Sequence, residues 1–182
     1  MIIALWLMLP AYIPNPCAAV FGGGRPIDGG RSLSDGRRIL GNGKTFRGFF
    51  AGLVCGLVVG YGQVWLVRSN PVLFGAELPL FGSAYVDPMI MIFALAFGSL
   101  FGDMFMSFFK RRVGLKRGAP LPVVDQLDFV MGAWVFAYLA APSWFVANFT
   151  FSIILVVLLV TPLLHLVMNV IGYFLGIKKE PW

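Results

Sequence analysis

Apolar residues run along this chain in long blocks with neither the strict alternation of strands nor the half-polar face of soluble helices. A helix that crosses a bilayer needs about 20 largely apolar residues. The pattern predicts five such segments: about Ile2 to Phe21, Phe46 to Val67, Pro88 to Phe109, Gln126 to Ala141 and Ser143 to Ile177. The first carries breaks at Pro10, Pro14 and Pro16. The last two are separated by argument. Phe129 to Ile177 holds no charged residue, and as one helix its 49 residues would reach about 73 Å, more than twice the hydrocarbon thickness. Ala141-Pro142-Ser143 is the natural turn, since Pro suits the first turn of a following helix. The final segment remains long and is expected to tilt, kink at Pro162 or project beyond the membrane. The expected fold is therefore all-α, a polytopic membrane helix bundle forming a single domain over 1–182, with cytoplasmic loops at about 22–46 and 110–125.

Composition agrees. The chain has 182 residues, of which 59% are hydrophobic and 12% charged, and its mean hydropathy is +0.85. A soluble domain is about 45–50% apolar and about 25% charged. One of this length leaves roughly 30% of its surface exposed, so so many apolar side chains require lipid as solvent.

Charge orients the bundle. The fourteen Lys and Arg gather in Arg25 to Arg47, Lys110 to Arg117 and Lys178-Lys179, with Arg68 alone outside. Five crossings place all three clusters on one side. Short cytoplasmic loops collect Lys and Arg, so that side is cytoplasmic and the N-terminus and the loop from Asn70 to Asp87 lie outside. The same positive field attracts anionic headgroups and substrates; no nucleic-acid partner is expected, and the sequence carries no reading of oligomeric state. Cys17 and Cys55 lie in apolar stretches and read as packing residues. No Lys or Arg precedes the first apolar run, which argues against a cleavable signal peptide.

Glycine recurs every fourth residue in the second segment, at Gly48, Gly52, Gly56 and Gly60. Such a smooth stripe lets membrane helices approach closely; a slot for an acyl or isoprenoid chain is the alternative.

Three carboxylates stand in or beside apolar segments near the cytoplasmic edge: Asp103, Asp125 and Asp128. An Asp inside the bilayer is costly and normally faces a polar cavity and a cation. Asp103, Ser107 and Lys110 fall at i, i+4 and i+7 on one helix face, and Asp125 and Asp128 at i and i+3 on another. Two carboxylate-bearing helix ends joined by a basic loop suit Mg²⁺ and phosphates, because Mg²⁺ takes oxygen ligands from one or two carboxylates plus substrate phosphate. Ion pairing with neighbouring Lys and Arg is the alternative.

The first loop carries Gly41-Asn42-Gly43-Lys44-Thr45. It is not a P-loop, since Arg38 stands where the first glycine belongs and no strand precedes it. A glycine-rich turn with a Lys at a helix start is still a fair phosphate cradle. His165, Asn169, Gly172 and Gly176 form one polar, small stripe on the last segment and are candidates for lining the site. A lone His gives no zinc site.

The stretch Gly102-Asp103-Met104-Phe105-Met106-Ser107-Phe108-Phe109-Lys110-Arg111, with its continuation through Lys116 to Pro120 and Asp125-Gln126-Leu127-Asp128, resembles the core of the phosphatidate cytidylyltransferases. The bacterial enzymes differ by a His-Gly-Gly element and an Arg within the last motif, where this chain has Pro122-Val123-Val124 and Gln126. The short chain, the Gly43-Lys44-Thr45 loop and the ending Lys178 to Trp182 look like the archaeal branch, the CDP-archaeol synthases. That resemblance implies a nucleotidyltransferase with CTP and an unsaturated di-ether glycerol phosphate as substrates and pyrophosphate as product. On it, Asp103, Asp125 and Asp128 would hold Mg²⁺, and Lys110 and Arg111 with Lys44 would hold phosphates. Ser107 would donate a hydrogen bond. Asn42, Gly43, Thr45, His165 and Asn169 would line the nucleotide pocket. A metal-dependent membrane phosphotransferase or phosphatase, or a small transporter, are the competing readings. The transporter is disfavoured because no polar path continues outward from the acids.

Overall fold

The computed structural model describes residues 1–73, 75–82, 86–115, 121, 123–174 and 176. Lys116 to Pro120, Pro122, and Ile177 to Trp182 lie outside the described residues, so that part of the motif and the basic tail are not placed.

Helices α1 (Ile2–Tyr12) and α2 (Pro14–Val20) form the first apolar segment. Pro14 and Pro16 lack the N–H groups that would close bonds to Pro10 and Tyr12. The axis nevertheless continues through Ile13, which keeps helical dihedrals, and Cys17 N–H donates to Ile13 O at 3.2 Å. Helix α3 (Phe46–Ser69) starts on a side-chain cap, with Thr45 accepting from Gly48 N–H. A two-residue hairpin, β1 (Val72–Leu73) with β2 (Ala76–Glu77), adds a small ribbon to the expected all-helical fold. Asp87 caps α4 (Pro88–Arg112), which ends on Lys110, Arg111 and Arg112. Cations there complement the helix dipole. Helix α5 (Val124–Ala140) ends at the expected Ala141-Pro142 turn, and Pro142 opens the short α6 (Pro142–Asn148).

The final segment departs from the expected single helix. It breaks between Asn148 and Phe151, and α7 (Phe151–Phe174) includes Pro162 within its length. The break follows from packing: Phe149 is buried against Trp134, Trp144 and Phe145, and Asn148 turns back to donate to Trp144 O.

Among the described residues, four stretches are long and apolar enough to cross a membrane: Ile2–Val20, α3, α4 and α7. Helix α5, with 17 residues, is shorter than these.

Glycine decides how the helices pack. Against the α3 stripe, Gly52 meets Pro14 O, Gly56 meets Ala96, Pro14 and Pro10 O, and Gly60 meets Ile92. The stripe is filled by α1, α2 and α4, which leaves no chain-sized slot there. A second glycine contact is tighter. A Cβ on Gly132 of α5 would stand 2.2 Å from Gly98 O of α4, and one on Gly102 would stand 2.4 Å from Asp128 O. Backbones therefore touch at Gly98, Gly102 and Gly132, and α4 with α5 is the most extensive helix pair. At the other end, Trp6 and Trp144 donate to Pro79 O and Leu80 O and close the core under the Asn70–Asp87 loop.

Candidate active site

The glycine contact between α4 and α5 has a direct chemical consequence. Asp103 follows Gly102, and Gly102 rests on the backbone of Asp128, so the two acids are forced together. Asp128 stands within Coulombic reach of Asp103, Lys44 and Asp125. Helix α5 begins two residues earlier than expected, which brings Asp125 into its first turn. Just before it, Val123 takes φ +68°, a strained conformation for a β-branched residue.

Each of two acids meets a lysine. Lys44, at the end of the glycine turn, pairs with Asp103. Lys110, at the end of α4, pairs with Asp125 at 2.5 Å, and the same carboxylate oxygen accepts from Leu121 N–H at 2.9 Å. Ion pairing, the alternative left open by spacing, is thus present at both positions. The other oxygen of Asp125 is buried without a hydrogen-bond partner.

Mg²⁺ fits this donor set. Three hard carboxylates lie on two touching helices, one of their buried oxygens is an orphan acceptor, and the nearest cations are lysines that can exchange partners. Among the described residues no three acids form a ready-made cage, so substrate oxygens would have to complete the shell.

A cavity of about 110 Å³ joins the first loop to α4. Gly43, Lys44 and Thr45 line it from one side, Asp103 and Leu100 from another, and Asn15 of α2 from a third. The predicted glycine turn and the predicted acid therefore share one space. Thr45 is engaged as the α3 cap, and Asn42 is exposed on the turn. Ser107 sits half-buried one turn beyond Asp103. Arg111 donates to Leu115 O at 2.7 Å and so braces the chain leaving α4. His165 and Asn169 lie on α7 outside this cavity, hydrogen-bonded to each other at 3.1 Å.

Sequence reasoning passed over Asn15, Ser99 and Asp28. Ser99 donates to Ala11 O at 2.7 Å and accepts from Asn15, which orients the Asn15 amide at the cavity wall. Pro14-Asn15-Pro16 was the available signal, a polar side chain between two helix-distorting residues in an apolar run. Asp28 is a buried acid in the first loop. Burial acts to raise its pKa, but the Arg38 guanidinium and the N–H groups of Gly41, Leu40 and Gly30 outweigh it and hold the carboxyl far below the usual range. Asp35, on the surface of the loop, is also lowered, first by the Arg37 N–H and then by Arg112. Arg112 in turn donates to Asp35, Arg37 O and Arg38 O, and Arg37 donates to Arg112 O, which ties the first loop to the end of α4.

Acids and lysines gathered at the ends of apolar helices, beside a glycine turn, define a membrane-embedded enzyme that works on phosphates. The comparisons agree with that class. The family model for CarS-like CDP-archaeol synthase matches residues 1–182. The CDP-archaeol synthase of Methanococcoides burtonii is 69% identical over 96% of this chain and 100% of its own length. That of Methanosarcina mazei is 65% identical over the same shares, and that of Halobacterium salinarum is 47% identical over 100% of this chain and 96% of its own. A solved structure described as an intramembrane enzyme for archaeal membrane lipids biosynthesis superposes with a TM-score of 0.72 at 37% identity, covering 92% of each chain. The chain belongs to the CDP-archaeol synthase family and is a cytidylyltransferase of lipid biosynthesis.

Proposed function

We propose that the chain transfers CMP from CTP to 2,3-bis-O-geranylgeranyl-sn-glycerol 1-phosphate, releasing pyrophosphate, at the cytoplasmic face of the cell membrane. One observation carries the reading: Lys44, Asp103, Asp128, Asp125 and Lys110 converge at one end of α3, α4 and α5. Five crossings, with α5 the shortest, place that end among the basic loops.

The lipid phosphate needs no general base. A phosphate monoester has a second pKa of about 6 and is mostly dianionic at neutral pH. One of its oxygens bonds to the α-phosphorus of CTP as the bond to the β-phosphate oxygen breaks. The obstacle is repulsion between two polyanions. Lys44 and Lys110 leave their carboxylates to meet phosphate oxygens, and Arg111, beside Lys110, adds a guanidinium to the same field while bracing Leu115. The glycine turn offers N–H groups from Asn42 and Gly43. Asp103, Asp125 and Asp128 would hold Mg²⁺, which supplies positive charge between the two anions when bound. Ser107 donates a further hydrogen bond. His165 and Asn169, on the outer helix, line the approach to the nucleotide. In-line positioning and charge neutralisation then account for catalysis.

The test uses purified protein in detergent with labelled CTP, Mg²⁺ and the di-ether glycerol phosphate. A CDP-lipid and pyrophosphate should form in equal amounts, and a chelator should stop both. Release of orthophosphate without a CDP-lipid would sink the assignment in favour of a phosphatase.

A further inference from the structure

The first cytoplasmic loop is tied to α4 through Arg37, Asp35 and Arg112, but it has no apolar packing to order it near Lys44. Gly23, Gly24, Gly29, Gly30, Gly36 and Gly41 all take positive φ, and no residue between 21 and 45 belongs to the buried hydrophobic core. A chain so rich in glycine loses much conformational freedom when it orders. Yet Lys44 must arrive at Asp103 in one place.

Asp28 gathers the loop. Its side chain has no exposed surface. One carboxylate oxygen accepts from Gly30 N–H at 3.1 Å and Arg38 Nη2 at 2.6 Å. The other accepts from Arg38 Nε at 3.2 Å, Leu40 N–H at 3.0 Å and Gly41 N–H at 2.9 Å. The residues so gripped bracket Lys44. Gly41 opens the turn that ends on Lys44, whose N–H donates to Gly41 O at 3.4 Å. On the other side, Ile27 N–H, next to Asp28, donates to Lys44 O at 2.8 Å, and Pro26 bridges Thr45. Lys44 is therefore held before and after by segments that the Asp28 carboxylate draws together, beside an Ile39 N–H to Arg31 O bond between the same two stretches.

We propose that Asp28, clamped by Arg38, is the positioning residue for Lys44: it touches no substrate, and it sets the affinity of the site for nucleotide phosphate by fixing the turn that delivers the lysine. The proposal rests on the reading that Lys44 contacts CTP phosphate. Both Asp28 oxygens accept from N–H donors, so an Asn amide would set its NH₂ against donors whichever way it turned.

The experiment is a double-mutant cycle on the full-length protein in detergent, with initial rates at varied CTP and saturating lipid phosphate and Mg²⁺. Asp28→Asn should raise the CTP KM about tenfold, with kcat and the lipid KM changing far less, as expected for a lost set of charge-assisted bonds behind one phosphate contact. Lys44→Gln should do the same. The double variant should match Lys44→Gln alone, because the two residues act through one contact. Arg38→Lys, which keeps the charge but cannot bond both oxygens, should raise the CTP KM by about threefold. If Asp28→Asn does not fold, Arg38→Lys replaces it in the cycle. Multiplying effects, an unchanged CTP KM, or a lipid KM that rises as much as the CTP KM would each overturn the positioning role while leaving the proposed function intact. An unchanged KM in Lys44→Gln overturns the phosphate contact and the positioning role together. A parent protein that makes no CDP-lipid overturns the function itself.

Discussion

Asp125 and Asp128 differ in what surrounds them, although they are three residues apart on one helix. Asp125 is tied to Lys110 and Leu121 through one oxygen and leaves the other buried and unpartnered. Asp128 faces Asp103 and Lys44 across the helix contact. On the proposed Mg²⁺-holding role, Asn at either position exchanges a hard anionic donor for a neutral amide, so turnover should fall by about 100-fold or more, the scale on which single preorganised electrostatic groups act. Insertion should survive, because an Asn carbonyl oxygen can still accept from Lys110 and Leu121 N–H at 125 and from Phe129 N–H at 128. Mg²⁺-dependent initial rates and detergent gel filtration check both; near-parent rates would leave these acids as ion-pair partners only. Asp28 makes a separate prediction about pH. Its folded pKa lies below the ordinary 3.8. A lowered carboxylate contributes stability that is fully present above its unfolded pKa and is lost as pH falls through the folded value. Loop order should therefore be unchanged from pH 7 to pH 5 and decay only well below the ordinary carboxylate range. Limited proteolysis at Arg31 and Arg37 across that range is the measurement, and cleavage that accelerates already at pH 5 would contradict the assignment.

At the scale of elements, glycine contacts place the chemistry. Gly132→Ala would drive a Cβ to 2.2 Å from Gly98 O, where both atoms belong to helix backbones that cannot swing aside. Overpacking of this kind costs about 1–3 kcal/mol. It would also spread Asp103 from Asp128, so activity should fall further than stability. Gly62→Ala on α3 meets nothing within 4 Å and should be neutral or stabilising by up to about 1 kcal/mol, the helix-propensity difference. Thermal denaturation in detergent and CTP turnover, measured on both variants, separate packing from propensity. Equal behaviour would mean that the α4–α5 approach does not set the site. The Gly48-to-Gly60 stripe announced its packing role by its four-residue repeat. The Gly98, Gly102 and Gly132 contact was harder to see, because its members sit on two helices and no single window shows the pairing.

For the whole molecule, the proposal is a bundle with the site at its cytoplasmic end. In intact cells, Glu77→Cys on the exposed hairpin should react with a membrane-impermeant thiol reagent. Ser34→Cys, exposed on the first loop, should react only after the membrane is opened. The native Cys17 and Cys55, both in the apolar helices, should contribute little background. The opposite labelling pattern would invert the bundle and remove the site from CTP.

Apolar block length determined, without any structure, that the chain is a helical membrane protein, because hydrocarbon admits only segments whose backbone groups are satisfied internally. Local spacing determined which acids and bases share a helix face, and it singled out the Gly41-to-Thr45 turn and Asp103, Asp125 and Asp128 as the candidates for phosphate chemistry. Tertiary structure decided what those residues meet. Lys44 reaches Asp103 across 59 positions of sequence, and Asp103 reaches Asp128 through a backbone contact between two helices. It also decided that Phe149 would break the last segment, and that Asp28 would organise the glycine loop. Helical periodicity is a property of near neighbours and can be read along the chain. Which faces touch is set by the close packing of several helices at once, and no local pattern contains that.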